Sequence, residues 1–150
     1  MVFDHFGIVV KSLSGGRDKV TAILGIREWT TTFSDSVNGV SMQFGRDDSG
    51  ICYELLEPLG DHSPVRSALS ERRAILNHIA YRVADLEAAA EHMRRTGCAR
   101  TGDPKPAVAY GGRRIQFFVT PLSFIVELIE APDHRHEFLS MPFATAASKA

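Results

Sequence analysis

Two histidines and two glutamates recur at one fixed spacing in this chain of 150 residues. His5 precedes His78 by 73 positions, and Glu54 precedes Glu127 by the same interval. Imidazole and carboxylate groups together are a suitable ligand set for a divalent first-row metal ion. If the four side chains converge, they predict a metal site. A five- or six-coordinate ion there would keep room for water or a substrate oxygen.

The glutamates favour a metal site more strongly than the histidines do. A single histidine on a strand is more often a hydrogen-bonded structural residue than a ligand. Glu54 and Glu127, however, each lie among apolar residues of a predicted strand, where an unpaired buried carboxylate is costly. A shared divalent ion would neutralise both carboxylates. The residue types do not distinguish cobalt, nickel, manganese and zinc.

The spacing of 73 extends well beyond these four residues. Gln43 recurs as Gln116, and either cavity lining or cross-strand packing would explain the pair. Glu57 recurs as Glu130, and both are predicted surface charges at the ends of strands. Because the period is long and has two copies, the pattern indicates a duplicated domain and not a solenoid. The longest matches pair residues 4–13 (DHFGIVVKSL) with 77–86 (NHIAYRVADL), and 53–57 (YELLE) with 126–130 (VELIE).

Each copy is predicted to be a β-α-β-β-β module. Alternation along the first strand places Phe3, His5 and Gly7 on one face. Helices are predicted after the caps Ser12 and Asp85. The fold class is therefore α+β, with two tandem modules forming one curved, incompletely closed mixed sheet and the helices outside. The predicted strands are residues 3–10, 29–33, 39–44 and 51–56 in the first copy, and 76–83, 114–119 and 124–130 in the second.

The predicted domain covers residues 1–132. It comprises module one (residues 1–60), a linker helix (61–74) that begins at Ser63 and Pro64, and module two (75–132). Residues 103–112 are predicted to be a loop. The remaining residues, 133–150, lose the periodicity and are expected to be a loosely packed C-terminal tail.

Composition excludes two classes of function. The net charge is −1 and no basic cluster occurs, which argues against nucleic-acid binding. No apolar run is long enough to span a bilayer, and the start of the chain lacks the features of a signal peptide. Cys52 and Cys98 occupy unmatched positions, so two free thiols in a cytoplasmic protein are expected. A homodimer is compatible with the exposed edges of such a sheet.

The motifs resemble the vicinal oxygen chelate superfamily, which includes glyoxalase I, methylmalonyl-CoA epimerase, extradiol dioxygenases and the fosfomycin and bleomycin resistance proteins. The resemblance covers residues 3–132 and implies metal ligands at His5, Glu54, His78 and Glu127. It is strongest to the methylmalonyl-CoA epimerases. The phrases that carry it are residues 4–10 (DHFGIVV), 54–65 (ELLEPLGDHSPV), 77–80 (NHIA) and 125–129 (IVELI).

Two positions depart from the epimerase pattern. Val37 stands where those enzymes have a glutamate that serves as one of two bases, and residues 108–112 (VAYGG) replace a Gly-Ala-His-Gly-Lys phrase. Glu127 is then the predicted base, acting beside a substrate carbonyl held by the metal. Tyr110, Arg113 and Arg114 are candidate substrate-binding residues on the nearby loop.

The leading hypothesis is a metal-dependent isomerase or epimerase-like enzyme for a small carbonyl substrate, such as an acyl-CoA. A glyoxalase I activity would use the same four ligands. An extradiol dioxygenase fits less well, because those sites use two histidines and one glutamate. A protein of the same fold that binds a drug or metabolite without catalysis is the remaining alternative.

Overall fold

Two copies of the predicted strand-and-helix pattern build one mixed sheet. The computed structural model describes residues 1–72 and 75–140 of the chain. Its strands are β1 (Val2–Val9), β2 (Glu28–Trp29), β3 (Phe33–Asp35), β4 (Val40–Arg46), β5 (Cys52–Pro58), β6 (Leu76–Arg82), β7 (Ala99–Arg100), β8 (Lys105–Ala107), β9 (Arg113–Val119), β10 (Ile125–Ile129) and β11 (Leu139–Ser140).

The strand order places the first strand of each module at the centre of the sheet. The order is β11-β2-β4-β5-β1-β6-β10-β9-β7, with β3 beside β4 and β8 beside β9. β1 and β6 pair antiparallel and join the modules. β1 pairs parallel with β5, and β6 pairs parallel with β10, so each first strand joins its module across a helix. The sheet is not closed into a barrel, which confirms the predicted fold class.

The helices begin at the predicted caps in both modules. α1 (Leu13–Leu24) is capped by the Ser12 side chain and ends at Gly25, whose left-handed φ of 70° suits glycine. α3 (Leu86–Arg95) is capped by the Asp85 side chain. Across residues 1–72 and 75–140, no helix has the length and apolar character needed to cross a membrane.

The helix between the modules is shorter than residues 61–74. α2 (Arg66–Ser70) has Val65 at its N-cap and no side-chain cap hydrogen bond. Ser63 therefore does not cap it, and among the described residues its buried hydroxyl has no hydrogen-bond partner. Residues 73 and 74 lie outside the described part of the chain.

Two predicted segments differ in detail. The predicted strand 29–33 is interrupted at Thr30, whose hydroxyl accepts a hydrogen bond from the backbone N–H of Phe44. The Thr30 N–H still donates to the Phe44 carbonyl, but the hydroxyl takes the place of the Thr30 carbonyl as the acceptor, and β2 and β3 are separate strands. The predicted loop 103–112 contains β8 and a 3₁₀ turn, Val108–Tyr110.

A β-bulge near the start of β1 changes the face of the sheet to which the first side chains point. Phe3 pairs with Tyr81 and His5 pairs with Ala80, so Asp4 is an extra residue. His5 and Asp4 are both buried as a result. Phe3 was predicted to share the inward face of His5, but the bulge places it among the aromatic rings of Phe6 and Tyr81 on the other face.

The chain after Pro132 differs from the expected loose tail as far as residue 140. β11 pairs with β2 at the edge of module one. The His136 ring stacks on Phe44 with 4.1 Å between ring centroids. Residues 133–140 therefore pack against the first module, and residues 141–150 lie outside the described part of the chain.

Candidate metal centre

The four repeated side chains meet at one buried point. His5 Nε2 lies 3.0 Å from His78 Nε2, 3.3 Å from a Glu54 oxygen and 3.4 Å from a Glu127 oxygen. His78 Nε2 lies 3.3 Å and 3.1 Å from the same two oxygens. The four ligand atoms all lie within 4.8 Å of one another. The predicted convergence is confirmed, and this donor set fits a divalent metal ion.

Small residues opposite each histidine make room for the cluster. His78 pairs across the module junction with Gly7, and His5 pairs with Ala80. A Cβ atom on Gly7 would overlap the His78 ring, so a side chain there would force the ring or the strand to shift. Gly7 and Ala80 are themselves separated by 73 positions. The duplication therefore supplies the space for each ring as well as the ring itself.

The Nδ1 atom of each histidine faces an oxygen of the preceding residue. His5 Nδ1 lies 2.9 Å from Asp4 Oδ2, and His78 Nδ1 lies 3.1 Å from Asn77 Oδ1. An acceptor at Nδ1 fixes the hydrogen there and leaves the Nε2 lone pair free. Because both Nε2 atoms point into the cluster, both rings could bind a metal ion there.

The charges in the cluster shift the pKa values of its members. Burial alone would lower the pKa of His5, but the charge of Glu54 and the hydrogen bond to Asp4 raise it well above its ordinary value. Burial also lowers the pKa of His78, while hydrogen bonds to Glu127 and Glu54 raise it overall. For Glu54, burial raises the pKa, but the charge of His5 outweighs it and brings it to about 2. Protons and a divalent ion therefore compete for this site.

A cavity of about 290 Å³ opens onto one side of the cluster. Glu54, His78 and Glu127 line it, whereas His5 is fully buried. The size and mixed lining suit the reacting part of a small molecule. The other polar residues along its walls are Asp35, Asn38, Asn77, Thr101, Asp103, Lys105 and Tyr110.

The three predicted substrate-binding residues occupy different places. Tyr110 lines the cavity, and its hydroxyl donates a 2.7 Å hydrogen bond to Asp4. Among the described residues, the walls of this cavity do not include Arg113 or Arg114. Arg114 instead forms ion pairs with Glu130 and Glu87 on the outer surface. Contact of Arg113 or Arg114 with a substrate stays a prediction.

Sequence reasoning missed two residues of the centre. Asp4 contacts His5, and the repeat of Asp4 as Asn77 was an available signal, because each precedes a histidine. His136 lies 3.1 Å from Asp4 through its Nε2 atom. It has no counterpart in the repeat, so no sequence pattern pointed to it.

Comparison with known proteins places this site in a family. Residues 4–117 match the sequence profile of the Glyoxalase/Bleomycin resistance protein/Dioxygenase superfamily. The chain therefore belongs to that superfamily, as its motifs predicted. An ethylmalonyl-CoA/methylmalonyl-CoA epimerase of Cereibacter sphaeroides is 33% identical over 78 residues. That alignment covers 51% of this chain and 58% of the epimerase, so the match spans little more than half of the curated relative.

Solved structures of methylmalonyl-CoA epimerases share the fold. The Streptomyces coelicolor enzyme, in complex with 2-nitronate-propionyl-CoA, superposes with a TM-score of 0.68 at 27% identity, covering 86% of this chain and 96% of that one. The Mycobacterium tuberculosis enzyme gives a TM-score of 0.70 at 23% identity, covering 85% and 86%. Methylmalonyl-CoA epimerases are thus among the proteins that resemble this chain in both sequence and structure.

Proposed function

We propose that this protein is a metal-dependent isomerase that removes a proton from the carbon next to a substrate carbonyl group. The observation that carries the proposal is the convergence of His5, Glu54, His78 and Glu127 beside a cavity for a small molecule. A divalent ion bound there would act as a Lewis acid and favour negative charge on the carbonyl oxygen. The epimerases similar to this chain suggest an acyl-CoA as the substrate.

Glu127 is the proposed base. Two carboxylates of the cluster, Glu54 and Glu127, line the cavity and can meet a substrate there. Because Val37 stands in place of one of the two bases of the epimerases, the resemblance leaves Glu127 as the remaining base. Glu127 lies on β10. One of its carboxylate oxygens takes the proton from the substrate carbon and later gives it back to the deprotonated substrate.

A second base would have to be Asp35 or Asp103, the carboxylates outside the cluster among the described cavity residues, and Asp103 is exposed to solvent. Val37 lies in the turn between β3 and β4 and is exposed. Asp35 lines the cavity, but its oxygens already accept hydrogen bonds from the Asn38 backbone, the Asn38 side chain and the Val108 backbone. These bonds outweigh the effect of burial and lower the pKa of Asp35. A mechanism with one base therefore fits the cavity better than one with two.

The single-base arrangement favours one alternative reaction. A glyoxalase-type isomerase moves a proton between adjacent carbons of a hemithioacetal and uses the same metal ligands. An absorbance assay with methylglyoxal and glutathione would detect this reaction, whereas chiral analysis of methylmalonyl-CoA would detect epimerisation. Turnover of the hemithioacetal without change at the chiral acyl-CoA would select the alternative.

Proton exchange tests the proposed base directly. The metal-loaded protein is incubated with methylmalonyl-CoA in D₂O, and deuterium incorporation is followed by mass spectrometry. We expect Glu127→Gln to lower the exchange rate by about 10²- to 10⁴-fold, the usual contribution of a general base. Glu54→Gln is the matched control, since it removes the equivalent carboxylate of the other module.

The two variants are compared at equal metal occupancy, measured by elemental analysis. Under that condition, Glu54→Gln should keep more exchange activity than Glu127→Gln. Exchange at the wild-type rate in metal-loaded Glu127→Gln would reject Glu127 as the base.

A further inference from the structure

We infer that Asp4 is a positioning residue for His5, and that residues 133–137 belong to the same centre through His136. The inference rests on the metal site of the proposed function. It concerns a carboxylate, a tyrosine and a histidine that lie on the far side of His5 from the cluster.

Both oxygens of the Asp4 carboxylate have hydrogen-bond or ion-pair partners. Its Oδ2 atom lies 2.9 Å from His5 Nδ1, 2.7 Å from the Tyr110 hydroxyl and 3.1 Å from His136 Nε2. Its Oδ1 atom lies 2.8 Å from Arg82 Nε in an ion pair. The Asp4 side chain is only 5% exposed. Groups from β6, the 3₁₀ turn and the C-terminal segment therefore hold this carboxylate in one orientation.

An oriented, ionised carboxylate determines which nitrogen of His5 carries hydrogen. A carboxylate can only accept, so His5 must donate from Nδ1 and present its Nε2 lone pair to the cluster. Tyr110 also lies 3.2 Å from His5 Nδ1, but its hydroxyl donates its hydrogen to Asp4 Oδ2 at 2.7 Å. The ring of His5 is therefore oriented by the Asp4 carboxylate, which Arg82 and His136 hold in place.

The two modules support their histidines differently. Asn77 occupies the position equivalent to Asp4 and accepts from His78 through a neutral amide oxygen. Asn77 also lines the cavity, whereas Asp4 faces away from it. Charged acceptors form shorter and stronger hydrogen bonds than neutral ones. Loss of the Asp4 charge should therefore weaken the metal site more than loss of the Asn77 amide.

Residues 133–137, the C-terminal segment, pack against Asp4 on the side away from the metal-ligand cluster. His136 stacks on Phe44 and its side chain is 7% exposed. The guanidinium of Arg82 donates to the backbone oxygens of Pro132 and His134, so one cation ties the segment to Asp4. The same cation disfavours a separate metal ion between Asp4 and His136. The segment therefore supports His5 and does not form a second metal site.

The test measures Zn²⁺ affinity by calorimetry with a competing chelator, using the full-length protein. Asp4→Asn preserves shape and removes the charge, and His136→Gln replaces the imidazole beside Asp4 with a flexible neutral amide. Loss of such a partner typically lowers metal affinity about 10- to 100-fold. We expect a decrease in that range for Asp4→Asn, and smaller decreases for His136→Gln and Asn77→Ala.

Asp85→Ala controls for a general loss of stability. Loss of its helix cap should lower the stability of the protein in denaturant unfolding while leaving Zn²⁺ affinity unchanged. A second readout is the ¹⁵N-resolved NMR signal of the His5 Nδ1 proton in Zn²⁺-loaded protein. It should move upfield in Asp4→Asn and stay in place in Asp85→Ala.

The outcomes separate this inference from the proposed function. If Asp4→Asn and His136→Gln bind Zn²⁺ within threefold of wild type and the His5 signal does not move, the positioning role of Asp4 is overturned. The proposed function would still stand in that case. Absence of Zn²⁺ binding by the wild-type protein would overturn the proposed function and this inference together.

Discussion

The chemistry of the centre depends on residues that have almost no side chain. Gly7 lies opposite His78, and Ala80 lies opposite His5, across the antiparallel junction of β1 and β6. Neither residue can bind a metal, yet both decide whether an imidazole fits between the strands. Residue size at these positions is therefore as important to the site as the identity of its ligands.

Adding one methyl group at Gly7 should displace a ligand. In Gly7→Ala, the new Cβ would overlap the His78 ring, so the ring or the strand must shift. We expect Zn²⁺ affinity to fall at least tenfold, and the unfolding free energy to fall by about 1–3 kcal/mol, as for overpacking in other protein cores. Calorimetry and denaturant unfolding would measure the two effects.

Gly102→Ala is the matched control. In the part of the chain that the structure describes, no heavy atom lies within 4 Å of the position of its added Cβ. Both quantities should stay close to wild type in this variant. Wild-type Zn²⁺ affinity in Gly7→Ala would contradict the account of this junction.

At the scale of elements, a second repeated pair of glutamates anchors the helices. Glu57 at the end of β5 accepts a 2.7 Å hydrogen bond from the backbone N–H of Leu13, the first residue of α1. Glu130 accepts one of 3.2 Å from Leu86, the first residue of α3. Both carboxylates therefore sit at a helix N-terminus, where negative charge is favourable. The prediction of plain surface charges missed this role.

Removing one of these anchors should destabilise the protein without altering the metal site. Glu57→Ala loses a hydrogen bond to a helix N-terminus, and we expect about 1 kcal/mol less unfolding free energy in urea titration. Glu71→Ala is the control, because Glu71 is an exposed residue just after α2, and surface substitutions usually stay within about 0.5 kcal/mol. Equal stability of the two variants would show that Glu57 does not anchor α1.

Most elements could be predicted because the duplication reports each of them twice. The first strand, its histidine, the helix cap and the last strand with its glutamate all recur at one spacing, and the structure has them where the pattern places them. The bulge at Asp4 could not be foreseen, because a break in alternation depends on pairing with β6. The packing of residues 133–140 was equally hidden, since the first copy contains no equivalent segment.

At the scale of the whole molecule, the centre lies where the two modules join. Each module contributes one histidine and one glutamate, and their strands β5, β1, β6 and β10 are consecutive in the sheet. Docking of one module on the other is therefore required to assemble the cluster. Folding stability and metal binding should be linked, because an ion that binds only the assembled cluster stabilises the folded state.

This linkage predicts opposite pH trends with and without metal. The pKa values of His5 and His78 are raised in the folded protein, so the stability they contribute is complete below their ordinary value of 6.5 and is lost as pH rises through the folded values. Metal binding displaces those protons and strengthens with pH. Chelator-treated protein should melt at lower temperature as pH rises from 6 to about 8.5.

The Zn²⁺-loaded protein should show a growing gain in melting temperature over the same range. A His5→Gln, His78→Gln double variant serves as the control and should show neither trend. A chelator-treated wild type whose melting temperature rises across this range would contradict the assigned shifts.

Calorimetric titration of chelator-treated protein with Zn²⁺ is the decisive test of the claim that His5, Glu54, His78 and Glu127 bind a metal ion. The converged histidines and glutamates predict one ion per chain, with affinity reduced at least 100-fold in the His5→Gln, His78→Gln double variant. Unchanged affinity in that variant, or no Zn²⁺ uptake by the wild-type chain, would contradict the claim.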